Sequence, residues 1–385
     1  MARVRNHRGK WQVLYRDPAT KRERSAGVFS RKTDAQRKRK LIEREIEFGE
    51  WIDPDLQNTT YQEWIARWMP TRTDLKPKTV AGYESLLRSR IMPTFAGACL
   101  GWIRTIDVEE WVSAMDSEGL SPSRIHQAYH LFSSSLKAAV RSGLIRTNPA
   151  VEVRLPKMEQ REMMFLNSSE VMSLANEVGD RDKALVLVLG FCGLRAGEAI
   201  ALRRSSINMM RSELRVTESA TEVDGRLVFG STKTRQARTV AIPAVVRDEL
   251  ERHLDAFTGP AISALVFASP RGGPIRLQNF RRRVWVPAVR RAGLPAGLRI
   301  HDMRHTAASL LINAGVQLKS VQEHLGHSSI TTTIDRYAHL YPEARQAVAA
   351  VLNGLIAGVS GVENRTESNR SGPEADQTLF ERRSS

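Results

Sequence analysis

The stretch "HLGHSSITTTIDRYAHL", residues 324–340, indicates the fold and the chemistry of this chain most directly. It contains a run of hydroxyl side chains and one tyrosine, Tyr337, which is flanked by Arg336 and followed two residues later by His339. His327 precedes this tyrosine by ten residues. A tyrosine in such surroundings is either a packed aromatic whose hydroxyl is hydrogen-bonded or a reactive group. The choice depends on which other side chains the fold brings next to it.

Three earlier stretches supply the candidates. In "GFCGLRAGEAIAL", Arg195 follows a glycine turn, and in "GSTKTRQARTV", Lys233 ends a strand before a short polar turn. In "HDMRHTAASLL", His301 and Arg304 are three residues apart, so they share one face if this stretch is helical. All of these residues belong to the C-terminal half of the chain.

Each candidate also has an ordinary structural interpretation. Arg195 can pair with Glu198, Lys233 can be one more surface lysine of a basic protein, and Tyr337 can simply be buried. Taken together, two arginines, two histidines, a lysine and a tyrosine are the set required for metal-free phosphoryl transfer to a tyrosine. Guanidinium groups match the oxygens of a phosphodiester and stay protonated, so two of them can replace a metal ion. A lysine can protonate the leaving 5′ oxygen, and neighbouring cations help the tyrosine hydroxyl to ionise.

The bulk composition favours a nucleic-acid partner. The 385 residues carry a net charge of +16 with a pI of about 10.3, and 41% of them are hydrophobic. This is typical of a globular protein that binds a polyanion. No run of 18 apolar residues and no secretory signal are present, so no membrane partner is expected. Cys99 and Cys192 are the only cysteines, which favours a reducing cytoplasm.

Linkers rich in proline and charge divide the chain. We expect a small basic domain (residues 1–57), a helical domain (58–156), a larger mixed domain (162–357) and a disordered polar tail (358–385). Residues 1–40 contain fourteen Lys and Arg but three acidic residues, which predicts a separate DNA-contacting unit.

The small basic domain is predicted to combine strands with one helix. "KWQVLYRD" and "SAGVFS" are candidate strands joined by a turn at Asp17-Pro18. A helix is expected to follow, with Thr33 and Gln36 forming a capping box at its start. Its small core would use three aromatic residues, namely Trp11, Tyr15 and Phe29.

Local sequence patterns predict the main helices and strands of the two larger domains. A helix is predicted from Pro122, with Ser121 as its cap and Gly143 at its end. Its apolar face comprises Ile125, Tyr129, Phe132, Leu136 and Val140. In the mixed domain, "KALVLVLGF" predicts a buried central helix, and "ELRVTES" and "GRLVFGSTK" predict strands around an Asp224-Gly225 turn. "ARTVAIP" is expected to be a third strand.

At these motifs the sequence resembles the tyrosine recombinase (phage integrase) family. "GLRAGE", "HDMRHTAAS" and "LGHSSITTTIDRYAH" occur in the order and at the spacing of that family. The resemblance covers residues 162–355 and extends loosely to the helical domain. It implies a multidomain fold, mainly α with small β elements. A small β-sheet with a helix would form an arm-type DNA-binding domain, followed by a helical SAM-like core-binding domain and an α+β catalytic domain.

The resemblance also implies a role for each candidate. Tyr337 would be the nucleophile that forms a 3′-phosphotyrosine link, and Arg195 and Arg304 would hold the scissile phosphate. Lys233 would be the general acid, and His301 a general acid/base near the tyrosine. The remaining roles are a phosphate hydrogen bond from His327 and supporting contacts from Glu198, Asp302 and His305.

The implied function is site-specific DNA recombination that integrates or excises a mobile element such as a prophage. The expected partners are double-stranded attachment-site DNA, three further copies in a homotetramer, and an excisionase or a host DNA-bending protein. Neither a cofactor nor a metal is expected, because the phosphotyrosine conserves the bond energy.

Three alternatives remain open from the sequence. One is a type IB topoisomerase, which nicks and reseals DNA without exchanging partners, and another is a DNA-binding regulator without catalysis. The third is a zinc protein that uses His301, His305, His324 and His327, although no cysteine pair or HExxH motif accompanies them.

Overall fold

The computed structural model describes residues 2–18, 20–49, 51–53, 56, 58–159, 162–231, 237–337, 352, 353 and 356. The chain divides into residues 1–161 and residues 162–385, with the hairpin tip Val223–Arg226 assigned to the first unit. Lys233 and the predicted disordered tail lie outside the described residues. No helix in the described ranges is long and apolar enough to cross a membrane.

The first unit begins with a three-stranded antiparallel sheet packed against a helix. The elements are β1 (Ala2–His7), β2 (Lys10–Arg16), β3 (Glu23–Phe29) and α1 (Lys32–Glu47). The core contains the buried Val13, Tyr15 and Ile42, with Trp11 and Phe29 partly buried beside them, which confirms the predicted aromatic core. Strand β1 had no clear sequence signal, since an Arg-Gly turn joins it to β2 and the strong hairpin signals are Asn-Gly and Asp-Gly.

The predicted start of α1 is wrong. The helix begins at Lys32 with Arg31 at the N-cap position, and no side chain caps it. Thr33 and Gln36 are therefore the second and fifth residues of the helix and do not form a capping box. The reason is the short connection, because β3 ends at Phe29 and leaves two residues before the helix begins.

The rest of the first unit is helical, as predicted. Its helices are α2 (Tyr61–Trp68), α3 (Pro77–Leu86), α4 (Met92–Phe95), α5 (Thr105–Ser117) and α6 (Pro122–Arg141), with a π-helical turn (Leu87–Ile91) between α3 and α4. Pro122 occupies the first turn of α6, and Gly143 just beyond its end has a positive φ of 72°. The predicted apolar face of α6 is buried except for Val140, which is partly buried against the same core. Aromatic contacts hold this core together, among them the stacked rings of Phe95 and Phe132 at 4.4 Å.

The second unit mixes helices with small antiparallel sheets. Its helices are α7 (Ser168–Glu177), α8 (Asp180–Phe191), α9 (Ala196–Ala199), α10 (Ala244–Phe257), α11 (Leu277–Phe280), α12 (Val286–Arg291), α13 (Asp302–Asn313), α14 (Leu318–Leu325) and α15 (Ile330–Tyr337). Its strands are β4 (Ile207–Asn208), β5 (Glu213–Val216), β6 (Glu218–Val223), β7 (Arg226–Ser231) and β8 (Arg238–Ala241). Strands β4, β5 and β8 form one sheet in that order, and β6 and β7 form a separate hairpin.

The central features of this unit follow from its sequence. Helix α8 is buried from Ala184 to Gly190, which confirms the predicted central helix. Asp224 and Gly225 both have positive φ angles, 46° and 73°, as a tight turn between twisted strands requires. The segment "ELRVTES" is not one strand, because it contains all of β5 and the start of β6, which belong to different sheets.

Candidate active site

Arg195 occupies the N-cap position of α9, immediately after a tight turn. Gly193 in that turn has a φ of 65°, and a Cβ there would lie 2.9 Å from the side chain of Leu325. Only glycine therefore fits the turn without strain. The Arg195 guanidinium donates from Nη1 to Glu198 Oε1 at 2.7 Å and from Nη2 to the Gly326 carbonyl at 3.1 Å. The ordinary pairing with Glu198 thus exists, yet 23% of the arginine side chain stays exposed.

Glu198 is 1% exposed and binds a second arginine, Arg238 on β8. Arg238 donates from Nη2 to Oε2 at 2.7 Å and from Nη1 to Oε1 at 3.1 Å. Burial alone would raise the pKa of the Glu198 carboxyl. The hydrogen bonds and the charge of Arg238, together with the charge of Arg195, outweigh burial and lower that pKa to about 2.

Arg304 lies on α13 and is 2% exposed. Its Nη1 donates to the Gly193 carbonyl at 2.7 Å, and its Nη2 donates to the Leu325 carbonyl. Burial, followed by the charge of Arg195, lowers the pKa of its guanidinium to about 9. Arg304 therefore remains a cation at neutral pH, fixed by two backbone carbonyls.

His327 follows α14 and is 8% exposed. Its Nδ1 is 2.9 Å from the hydroxyl of Thr333, a fully buried residue of α15. Burial and the charges of Arg304 and Arg195 lower the pKa of its ring to about 3. The ring is consequently neutral at physiological pH, and one proton of the neutral imidazole is available for a hydrogen bond.

Tyr337 ends α15 and is fully buried. Its hydroxyl lies 2.8 Å from Nδ1 of His305, and its ring packs in a cluster with Ala308, Ile312, Val321 and Leu325. Burial raises the pKa of this hydroxyl, although the charges of Arg304 and Arg336 act in the opposite direction. Burial and the neighbouring His301 lower the pKa of His305 to about 4. The neutral His305 ring therefore holds the tyrosine hydroxyl.

The two remaining candidates are His301, which the structure describes, and Lys233, which lies outside the described residues. His301 is solvent-exposed as a residue, and its ring packs edge-to-face against that of His305 at 4.9 Å. Desolvation of the ring and the charges of Arg304 and Arg336 lower its pKa. His305, not His301, contacts the tyrosine hydroxyl in this structure. Lys233 lies in the segment 232–236, outside the described residues.

The structure thus brings five of the six candidates into one cluster, in which the charge of one residue shifts the pKa of another. The five are Arg195, His301, Arg304, His327 and Tyr337. The charge of Arg195 acts on Arg304 and His327, and the charge of Arg304 acts on His301, His327 and Tyr337. Excess positive charge beside a tyrosine can bind a phosphodiester and stabilise the charge that develops on it.

The sequence interpretation missed two contributors, Arg238 and Thr333. Arg238 lies forty positions from the carboxylate that it binds. No sequence spacing reveals a contact over that distance.

Comparisons with known proteins identify the family. Residues 164–344 match the model of the phage integrase family, and residues 60–115 match its N-terminal SAM-like domain. A putative prophage integrase of Mycobacterium tuberculosis is 27% identical over 90% of this chain and 93% of its own length. The tyrosine recombinase XerC of Alcanivorax borkumensis is 30% identical over 75% of this chain and 92% of its own length.

The fold has a counterpart among solved structures. The Tn1549 transposon integrase in complex with a circular intermediate DNA superimposes with a TM-score of 0.68 at 21% identity, covering 76% of this chain and 99% of that one. Family models, relatives and fold therefore agree. The chain belongs to the phage integrase family of tyrosine recombinases, the site-specific enzymes that cut and rejoin DNA.

Proposed function

We propose that Tyr337 attacks the scissile phosphodiester and forms a 3′-phosphotyrosine link, from which the DNA is rejoined to a new 5′ end. Arg195 and Arg304 bind the non-bridging oxygens and stabilise their charge in the transition state. The observation that supports this most strongly is that Arg304 and Arg195 donate to the adjacent carbonyls of Leu325 and Gly326, and Tyr337 packs in the cluster that contains Leu325.

Two histidines also act in the proposed reaction, one at the phosphate and one near the tyrosine. His327 is neutral and anchored through Nδ1 to Thr333, which leaves Nε2 to donate a hydrogen bond to the phosphate. His301, at the exposed end of α13, acts as a general acid/base near the tyrosine. Asp302 supports this end, because its carboxylate accepts hydrogen bonds from the Arg299 backbone N–H and guanidinium.

The test of the nucleophile uses a nicked suicide substrate that traps the covalent adduct. Tyr337→Phe keeps the ring and removes only the oxygen, so the adduct should disappear while DNA binding persists. The wild-type reaction should continue in excess EDTA, since arginines supply the charge that a metal supplies elsewhere. Tyr341→Phe is the matched control and should form the adduct normally. An adduct formed by the Tyr337→Phe protein would overturn this mechanism.

Lys233 protonates the departing 5′ oxygen in this proposal. Lys233→Ala should slow cleavage of normal DNA severely, but a bridging 5′ sulfur leaves without a proton and should restore most of the rate. Equal defects on both substrates would move the general-acid role to another residue.

The first unit supplies two DNA-binding domains in this proposal. Residues 1–57 bind arm sites away from the crossover, and residues 58–156 bind the core site together with the catalytic domain. Deleting residues 1–57 should abolish arm binding, leave core cleavage intact and reduce the salt dependence of affinity, because fewer phosphates are neutralised. An unchanged salt slope on full-length attachment DNA would exclude this role.

Recombination by this mechanism requires four copies around a Holliday junction, with an excisionase or host DNA-bending protein setting direction. The enzyme acts in the cytoplasm of a bacterium on the DNA of a mobile element.

Residues 342–358 contain a short apolar stripe that couples neighbouring copies in this proposal. Truncation after Leu340 should spare binding to one site and eliminate the synaptic complex on a gel. Normal synapsis would exclude the coupling.

A further inference from the structure

Arg238 joins three segments that each carry or adjoin a proposed catalytic residue. It begins β8, shortly after the segment that contains Lys233. Its Nη atoms both bind Glu198, the partner of Arg195, and its Nε donates to the His324 carbonyl at 3.0 Å. His324 lies three residues before His327. Only 10% of the Arg238 side chain is exposed, so most of this cation is withdrawn from solvent.

Glu198 has no spare hydrogen-bonding capacity in this arrangement. Oε1 accepts from Nη1 of Arg195 and Nη1 of Arg238, and Oε2 accepts from Nη2 of Arg238 and the Arg195 backbone N–H. The two arginines therefore share one carboxylate through both of its oxygens. A guanidinium is rigid and planar, so the two hydrogen bonds from Arg238 fix the orientation of the Glu198 carboxylate. The carboxylate in turn fixes the position of the Arg195 guanidinium that donates to it.

The contact of Arg238 with the turn between His324 and His327 requires a glycine at position 326. Gly326 has a φ of 67°, and a Cβ at this position would lie 2.9 Å from Cδ and 3.1 Å from Nε of Arg238. The guanidinium stem thus packs directly on the backbone between His324 and His327. The Gly326 carbonyl accepts a hydrogen bond from Arg195, so this short turn contacts both arginines.

We propose that Arg238 is a positioning residue, which aims Arg195 at the scissile phosphate through Glu198 and holds the turn that carries His327. We assign Arg238 no contact with DNA, because 10% of its side chain is exposed and three of its five N–H donors bind within the protein. This inference rests on the proposed function of Arg195 and adds a residue to it. The positioning requires the two-pronged geometry of an arginine and not only its charge.

The test is a double-mutant cycle on single-turnover cleavage of the nicked substrate at saturating protein. Arg238→Ala should slow cleavage at least about tenfold with little change in DNA affinity, and Arg238→Lys should share most of this defect. In an Arg195→Lys background, Arg238→Ala should cost less than about threefold, because its effect passes through Arg195. Arg203→Ala, which removes a half-exposed ion pair to Glu218 in the same unit, is the matched control and should cleave normally.

A second measurement separates positioning from loss of structure. A methylphosphonate at the scissile position lacks one negative oxygen, so a misaimed Arg195 matters less and the Arg238→Ala defect should shrink. A defect that stays equal on both substrates, or that multiplies fully with Arg195→Lys, would overturn the inference. Normal cleavage by Arg195→Ala would instead refute the proposed role of Arg195.

Discussion

The arginine cluster, formed by Arg195, Glu198, Arg238 and Arg304, is built differently from the pocket of Tyr337. Each arginine of the cluster has at least two hydrogen-bonding partners, and the one buried carboxylate is shared. Tyr337 lies on a short helix in an apolar pocket, and among the described residues its hydroxyl has one hydrogen-bond partner, His305. The positive charge proposed to stabilise the transition state is therefore organised in advance, whereas the proposed nucleophile is shielded from solvent.

The largest expected effect concerns the cluster. Arg304→Ala and Arg195→Ala should each reduce the cleavage rate by about 10²–10³-fold, the usual cost of losing one preorganised donor to a developing oxyanion. Both variants should keep their DNA affinity within a small factor. The measurement is single-turnover cleavage of the nicked substrate at saturating protein.

The same two variants should differ in stability. Arg304 is 2% exposed, and its loss leaves the Gly193 and Leu325 carbonyls without these buried donors. We expect a cost of about 1–3 kcal/mol in the free energy of unfolding by urea, against a smaller cost for the more exposed Arg195. A stability loss for Arg195→Ala equal to that for Arg304→Ala would contradict this distinction.

The tyrosine pocket should make stability depend on pH. The pKa of folded His305 is about 4, below its ordinary value of 6.5. Between these pH values the unfolded chain binds a proton that the folded chain does not, so stability falls as pH decreases through this window. At pH above 6.5 the contribution is fully present. Its size should be on the order of 2–3 kcal/mol.

His305→Asn is the variant that isolates this effect. Asparagine can still hydrogen-bond the tyrosine hydroxyl but does not titrate, so its stability curve should be flatter between pH 6.5 and pH 4. Glu198 affects stability mainly at lower pH, because its pKa is lowered from 4.5 to about 2. Parallel curves for wild type and His305→Asn would show that the folded ring titrates normally.

The smallest expected effect is the structural cost of removing the nucleophile. Tyr337→Phe keeps the ring contacts and deletes one hydrogen bond, so the free energy of unfolding should drop by about 0.5–1.5 kcal/mol. Urea denaturation at neutral pH measures this difference. A loss above about 3 kcal/mol would mean that the hydroxyl has a larger structural role than one bond to His305 provides.

The sequence predicted the helices and turns that depend on local patterns. The central helix, the Asp224-Gly225 hairpin and the boundaries of α6 follow from apolar runs, prolines and glycines that lie close together in the chain, although the side chain of Ser121 does not cap α6. The family motifs also contain Arg195, Arg304 and Tyr337 within short stretches. These helices, turns and motifs could be predicted without knowing which distant segments of the chain contact each other.

What the sequence did not predict are contacts between distant segments. Glu198 and Arg238 are brought together only by the packing of β8 near α9, and the ring that faces the tyrosine is His305 because of its orientation on α13. The family resemblance implied that the neighbouring His301 would lie near the tyrosine. Side chains four residues apart differ little in pattern, and only the packed structure shows which one points at Tyr337.

The central claim is that Tyr337 is the residue that becomes covalently joined to DNA beside the arginine cluster. The most direct measurement is to trap the wild-type adduct on a nicked substrate, digest it and identify the modified peptide by mass spectrometry. We expect a nucleotide 3′-phosphate on Tyr337. Attachment at Tyr341, or at a serine or threonine of the preceding stretch, would contradict the account.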